Sequence, residues 1–260
     1  MEVVVTTATA IRLNRSAMPS TQKTLLSTKS IPVEERLIVP LDVPSNEEAL
    51  QLVETLGDAV RFYKVGLELL LGGKWIELVE ELGARNKAVM LDVKIFDVPA
   101  TVREAVRQAV KQHVRFVTVH MSDEAIKAAV EVRNGVKILA VTLLTSVNEI
   151  DAQEFGFTVP VVKFVLSRAR RALDIGCDGV ISSGLESAEL RKNLGERFLI
   201  VTPGIRPVAN VDDQKRTVDV EEAFKNGADY IVVGRPIRNA PDPKKAAAAI
   251  QQRIATLFGT

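Results

Sequence analysis

The chain has 260 residues, 47% of them apolar, and its 34 basic and 33 acidic side chains leave a net charge of +1. That length and composition bury an ample core, while the balanced charge gives no broad attraction to nucleic acid or anionic lipid. A single cysteine, Cys177, excludes an intramolecular disulfide and suits a reducing compartment, and no apolar run nears the roughly 20 residues that cross a bilayer. The expected partner is a small molecule, and the expected compartment is the cytoplasm.

Residues 1–30 are rich in Ser and Thr, carry Arg12, Arg15, Lys23 and Lys29, and hold one acid, Glu2. This composition reads as a disordered extension, as sequence upstream of the true start codon, or as a segment targeting the protein to an organelle. No apolar stretch followed by a small-residue cleavage site marks the chain for secretion.

From Arg36 onward, short apolar runs alternate regularly with amphipathic stretches. The runs are LIVPLD (37–42), VRFYKVG (60–66), AVMLDVK (88–94), RFVTVH (115–120), KILAVTLL (137–144), DGVISSG (178–184), FLIVTPG (198–204) and DYIVVG (229–234). Near-continuous Val, Ile and Leu is what a parallel strand buried on both faces requires. Between them, NEEALQLVETLG, ELLLGGKWIELVEELG and PATVREAVRQAVKQ space apolar residues by three and four, as helices do. Gly57, Gly83, Gly176 and Gly227 stand where left-handed helix caps are expected. Eight strand–helix units in roughly 220 residues predict one α/β domain over 36–260, a TIM (β/α)8 barrel.

Chemistry in such a barrel sits at the C-terminal ends of the strands. Those ends carry Asp42, Lys64, Asp92 with Lys94, His120, Thr142 to Thr145, Ser182 with Ser183, Pro203 with Gly204, and Gly234 with Arg235. Strand residues two apart share a face, so Asp92 and Lys94 are expected to point together while Val93 points to the helical layer. Asp97 falls in the following loop and Pro99 at the first helical position.

Asp42, Lys64, Asp92 and Lys94 thus converge from three consecutive strands with alternating charge. An ion-pair network closing the barrel is the structural alternative, but one pair would serve that purpose, and buried pairs seldom improve on apolar packing. A lysine between carboxylates stays protonated, which argues against a Schiff-base or general-base role. It suits a cation held beside a carbon on which negative charge develops, able to donate its proton there afterwards. Unit charges 4 Å apart interact by about 4 kcal/mol at an effective dielectric of 20, so rigid placement matters.

After the seventh and eighth runs come VTPGIRPVANVDDQKR (201–216) and VVGRPI (232–237). TIM barrels often bind phosphate there. Gly204 and Gly234 permit close backbone approach, Arg206 or Arg235 supplies a fork for phosphate oxygens, and Gln214 adds an amide.

Together, LDVP (41–44), FYKVGLEL (62–69), LDVKIFDVPATV (91–102), LTS (144–146), PGIRP (203–207), DQKR (213–216) and VGRPI (233–237) resemble the orotidine 5′-phosphate decarboxylases of the compact bacterial type. The resemblance implies a homodimeric TIM barrel that converts orotidine monophosphate to uridine monophosphate and CO2 in pyrimidine biosynthesis, without metal or organic cofactor. It implies that Lys94 stabilises and protonates the C6 carbanion. Asp92 would face the substrate carboxylate and hold Lys94, Lys64 would extend the network toward the ribose, and Asp42 would bind a ribose hydroxyl. Asp97 and Thr101 would reach the neighbouring subunit's site, so that two subunits build each one. Thr145 and Ser146 would lie near the pyrimidine; Gln214, Gly234 and Arg235 would hold the phosphate, with Arg206 beside them. The family often has His, Ile and Asn where this chain has Phe96, Val98 and Ala100.

The nearest rivals, hexulose-phosphate synthases and ketogulonate-phosphate decarboxylases, share an Asp-x-Lys-x-x-Asp strand end but use magnesium held by an acid after strand two. This chain has Lys64 there, and an ammonium repels Mg²⁺. A catalytically silent barrel binding a phosphorylated ligand would be expected to lack one of the four charges; none is missing. His120 reads as a brace at the rim, His113 as a surface residue, Cys177 as a small buried residue, Trp75 as core, and SRARRALD (167–174) as a solvated helix face.

Overall fold

The computed structural model describes residues 24–112, 114–206 and 218–259. Eight parallel strands close into one barrel in sequence order, the last pairing with the first. β1 (Leu37–Pro40) leads to α1 (Asn46–Leu56). β2 (Phe62–Gly66) leads to α2 (Leu67–Leu71) and α3 (Trp75–Ala84), β3 (Ala88–Ile95) to α4 (Pro99–Lys111), and β4 (Phe116–His120) to α5 (Asp123–Val132). β5 (Lys137–Val141) leads to α6 (Glu149–Glu154) and α7 (Val161–Ile175), and β6 (Gly179–Ile181) to α8 (Ser187–Leu194). β7 (Leu199–Thr202) leads to α9 (Val220–Lys225), and β8 (Tyr230–Val232) to α10 (Arg235–Arg238) and α11 (Pro243–Phe258). The TIM barrel read from the apolar runs is the observed fold. Several runs outlast their strands at the C-terminal end, because those residues leave the ladder to form the rim.

The two faces of each strand feed separate cores. Outward residues such as Val39, Val65, Leu91, Val117, Ala140 and Val180 pack under the helices. Inward residues, among them Ile38, Phe62, Met90, Phe116, Val141, Ile181, Tyr230 and Val232, fill the barrel. Phe62, Phe116 and Tyr230 contact one another with ring centroids 5.1, 5.8 and 5.2 Å apart. Such tilted and edge-on packing fills the N-terminal half of the barrel, beneath the cavity at the C-terminal rim.

Local signals set the helix ends. Ser45 and Ser122 cap α1 and α5, Asn148 and Asp151 form a capping box on α6, and Pro99 opens α4. Gly57, Gly176 and Gly227 have positive φ, as expected of caps. Gly83 does not cap: it lies inside α3, and the left-handed residue is Asn86 with φ 56°. Asparagine tolerates that conformation because its short side chain hydrogen-bonds locally. Trp75 packs on the outer core. The α7 arginines are not merely solvated, since Arg168 and Arg171 both bind Asp123 of α5.

Of the segment 1–30 set apart by composition, residues 24–30 are described and tied to the bottom of the barrel. The Leu25 amide donates to the Lys225 carbonyl at 2.9 Å. Ser27 Oγ and Lys29 Nζ reach the fully buried Asp229 at 2.5 and 3.0 Å. Arg191 at 2.6 Å and the Ile200 amide at 2.9 Å also reach its carboxylate. Residues 1–23 and His113 lie outside the described residues.

Candidate active site

Above the aromatic layer opens a cavity of about 400 Å³. Met90, Val141, Ile181 and Val232 form its apolar floor, and Asp42, Lys64, Asp92 and Lys94 line one wall. Strand register explains the convergence. Lys64 lies opposite Pro40 of β1 and Met90 of β3, so the next inward residues on those strands, Asp42 and Asp92, flank its side chain. Lys64 Nζ is 2.9 Å from Asp42 Oδ1 and 3.5 Å from Asp92 Oδ2. Lys94 Nζ is 3.0 Å from Asp92 Oδ1.

The shared face of Asp92 and Lys94 does not come from plain alternation. Between the pairs Leu91–Val117 and Ile95–Val119 the register shifts, so Asp92, Val93 and Lys94 stand against Thr118 alone. Lys94 takes φ 48°, unusual for a side chain of its size, and Val93 packs toward the outer core as expected. Thr118, completely buried, accepts the Lys94 amide at 2.9 Å and donates its hydroxyl to Asp92 Oδ1 at 3.0 Å.

Burial works against the charge of Asp92, but Lys64, Lys94 and the hydrogen bonds from Lys94 and Thr118 outweigh it and hold the carboxyl below its usual range. Burial likewise opposes the Lys64 ammonium, and Asp92 with Asp42 overcomes it, raising the lysine above its ordinary value. Both groups therefore stay ionised at neutral pH, and the wall alternates in sign. Lys94 keeps 34% of its side chain exposed, against 12% for Lys64, so it is the more open of the two lysines on this wall.

Across the cavity, Thr145 and Ser146 line it from the loop after β5. Pro203, Gly204 and Arg206 follow β7, while Gly234 and Arg235 follow β8. A Cβ on Gly234 would come within 2.9 Å of Pro40 Cγ, which leaves little room there for a larger residue. Gln214 lies outside the described residues.

Asp97 and Thr101 do not join the cavity. Both are exposed, and Asp97 Oδ1 accepts the amide of its neighbour Val98 at 2.7 Å. Nor do Ser182 and Ser183, which are buried behind the rim; Ser183 donates to Glu186. His120 packs against Phe96 with centroids 5.1 Å apart and the rings tilted by 52°, and burial, then the charge of Lys94, pushes its pKa down. Burial pushes the Cys177 thiol up to about 12, which makes it inert.

Three residues of this region escaped the sequence reading. Thr118 is two residues before His120 on the inward face of β4, a period-two signal that was available. Arg238 lines the cavity one helical turn after Arg235 and donates to the Asp42 carbonyl. Gly66 faces the charged wall, where a Cβ would meet Lys64 Nζ at 3.1 Å and Asp42 Oδ1 at 3.4 Å. Among the described residues, no group of three or more His, Cys, Asp or Glu side chains is arranged to hold a metal ion.

Residues 35–250 match the model of the orotidine 5′-phosphate decarboxylase / HUMPS family. The chain belongs to that family. A curated orotidine 5′-phosphate decarboxylase of Methylococcus capsulatus is 54% identical over 235 residues, 90% of this chain and 97% of the relative. That of Stenotrophomonas maltophilia is 47% identical over 226 residues, 86% and 94% of the two chains. The crystal structure of the Lactobacillus acidophilus orotidine 5′-phosphate decarboxylase superposes with a TM-score of 0.75 at 36% identity, covering 85% of this chain and 99% of the other.

Proposed function

We propose that the protein decarboxylates orotidine 5′-monophosphate to uridine 5′-monophosphate and CO2 in pyrimidine biosynthesis. The observation that carries this reading is the Lys94 ammonium, held 3.0 Å from Asp92 and open to a cavity of nucleotide size in a barrel of this family. The bond from C6 to the carboxylate breaks, its electron pair stays on C6, and a proton passes from Lys94 Nζ to that carbon. The fixed ammonium stabilises the developing charge before the transfer, without reorganisation at the moment of reaction. Asp92, ionised by its surroundings, faces the substrate carboxylate and orients Lys94.

The remaining roles are those that the family resemblance implies. Asp42 and Lys64 meet the ribose hydroxyls, and Thr145 with Ser146 meets the pyrimidine. Gln214, Gly234, Arg235 and Arg206 receive the phosphate, a task suited to forked guanidinium donors and a close backbone. Asp97 and Thr101 act in a second subunit's site. Their exposure beside Phe96 and Val98, 69% and 62% exposed, supports a homodimer whose interface covers this loop.

The reaction needs no metal or organic cofactor, and the position of Lys64 supports this: an ammonium stands between Asp42 and Asp92 and repels a divalent cation, where the magnesium-dependent sugar-phosphate enzymes are expected to carry an acid after strand two. A cytoplasmic setting is supported by bacterial relatives and by the single cysteine. Following the loss of orotidine monophosphate absorbance with purified protein tests the reading; no turnover by the wild-type chain would overturn it.

A further inference from the structure

We propose that Thr118 is a positioning residue for the reaction, fixing Lys94 and Asp92 in relation to one another across the bulge in β3. The inference deepens the proposed decarboxylation and rests on it for its kinetic readout, though its structural readout stands alone. Three residues of β3 face one residue of β4 here, so the bulge withdraws the Lys94 amide from the regular ladder. A buried amide without a partner is costly, and the Thr118 hydroxyl supplies the acceptor at 2.9 Å. The same oxygen spends its one proton on Asp92 Oδ1 at 3.0 Å, the carboxylate oxygen that also receives Lys94 Nζ. Both ends of the Lys94 residue, backbone and ammonium, are thereby referred to one buried atom.

Geometry makes this a requirement of chemistry as well as of packing. Lys94 holds φ 48°, a conformation a lysine leaves readily unless its surroundings impose it. Without the hydroxyl, the lysine backbone relaxes and the Asp92 carboxylate loses a neutral donor that holds its rotation. Thr118 also lines no part of the cavity, so it influences the reaction only through these two partners.

The test compares Thr118→Val, which keeps the shape and removes the hydroxyl, with Thr118→Ser, which keeps the hydroxyl. For Thr118→Val the expected result is a kcat lower by roughly tenfold to a hundredfold, the scale of a small misplacement of a reacting group, with KM little changed. Thr118→Ser is expected to retain kcat within about threefold of wild type, because donor and acceptor are both kept. Crystal structures of the two variants provide a readout independent of turnover: the contact between Lys94 Nζ and Asp92 Oδ1 is expected to persist in Thr118→Ser and to be lost or displaced in Thr118→Val.

A Thr118→Val protein with wild-type kcat, or one whose Lys94 and Asp92 are unmoved, would overturn the proposal. So would a folded Thr118→Ser protein that loses kcat, and this arm decides the matter if Thr118→Val fails to fold. If the wild-type chain itself does not decarboxylate orotidine monophosphate, the functional reading fails, and the crystallographic comparison still decides whether Thr118 positions Lys94.

Discussion

Lys94 Nζ lies 3.0 Å from Asp92 Oδ1 although one residue separates them and Lys94 holds a left-handed backbone. A short i, i+2 pair on a bulged strand end combines two advantages. The carboxylate keeps the ammonium charged and aimed, and the bulge carries the pair out of the packed barrel into the cavity.

Replacing Lys94 by alanine is expected to lower kcat for orotidine monophosphate by more than about a thousandfold, since both charge stabilisation and the proton donor are lost. The barrel should stay folded, because Lys94 contributes no core packing. Circular dichroism with a turnover assay checks both halves, and an unimpaired variant would remove Lys94 from the mechanism.

Chelation should have no effect. Prolonged dialysis against EDTA is expected to leave kcat unchanged, since the Lys64 ammonium already sits between the carboxylates that a divalent cation would need. Restoration of lost activity by magnesium would point instead to the sugar-phosphate branch of the family.

The charged wall should shape stability at both ends of the pH range. The Asp92 pKa is depressed in the fold, so its contribution is present above the unfolded value of about 3.9 and is lost as pH falls through the folded one. The Lys64 pKa is raised, so its contribution is fully present below the unfolded value of about 10.4 and is lost as pH rises through the folded one. Urea unfolding across pH should show the alkaline limb attenuated in Lys64→Met relative to wild type. Identical alkaline limbs would refute the coupling.

The proposed sharing of sites between subunits is tested by complementation. Lys94→Ala and Asp97→Ala homodimers should each be nearly inactive. Random exchange of subunits should restore about a quarter of wild-type activity, because half of the dimers are mixed and each mixed dimer has one intact site. Absence of recovery after verified exchange would confine Asp97 to its own chain.

At the opposite end of the barrel, Asp229 joins the segment 24–30 to Arg191 and the start of β7. Asp229→Ala leaves the buried Arg191 without its counter-ion and should cost about 3–5 kcal/mol by chemical denaturation. Protein that remains folded is expected to keep its kcat, because this network lies away from the catalytic rim.

Much of the protein was legible in one dimension. Eight continuous apolar runs determined a parallel barrel, since strands covered on both faces admit no polar alternation. The rule that barrels react at their C-terminal rim pointed to Asp42, Lys64, Asp92 and Lys94, although the shared face of Asp92 and Lys94 comes from the bulge in β3 and not from the period-two spacing that suggested it. Tertiary structure alone decided the rest. The bulge that sets three residues of β3 against Thr118 depends on the register of two strands, which no periodicity within one strand encodes. Arg238 enters the cavity because α10 turns it back toward Asp42. The tie of residues 24–30 to Asp229 joins groups some two hundred positions apart, and Asp97 and Thr101, drawn to the site by resemblance, stand outside their own chain's cavity. Charge and periodicity are local properties of a chain, whereas the partner of a buried amide or carboxylate is chosen by whatever the folded backbone brings within 3 Å of it.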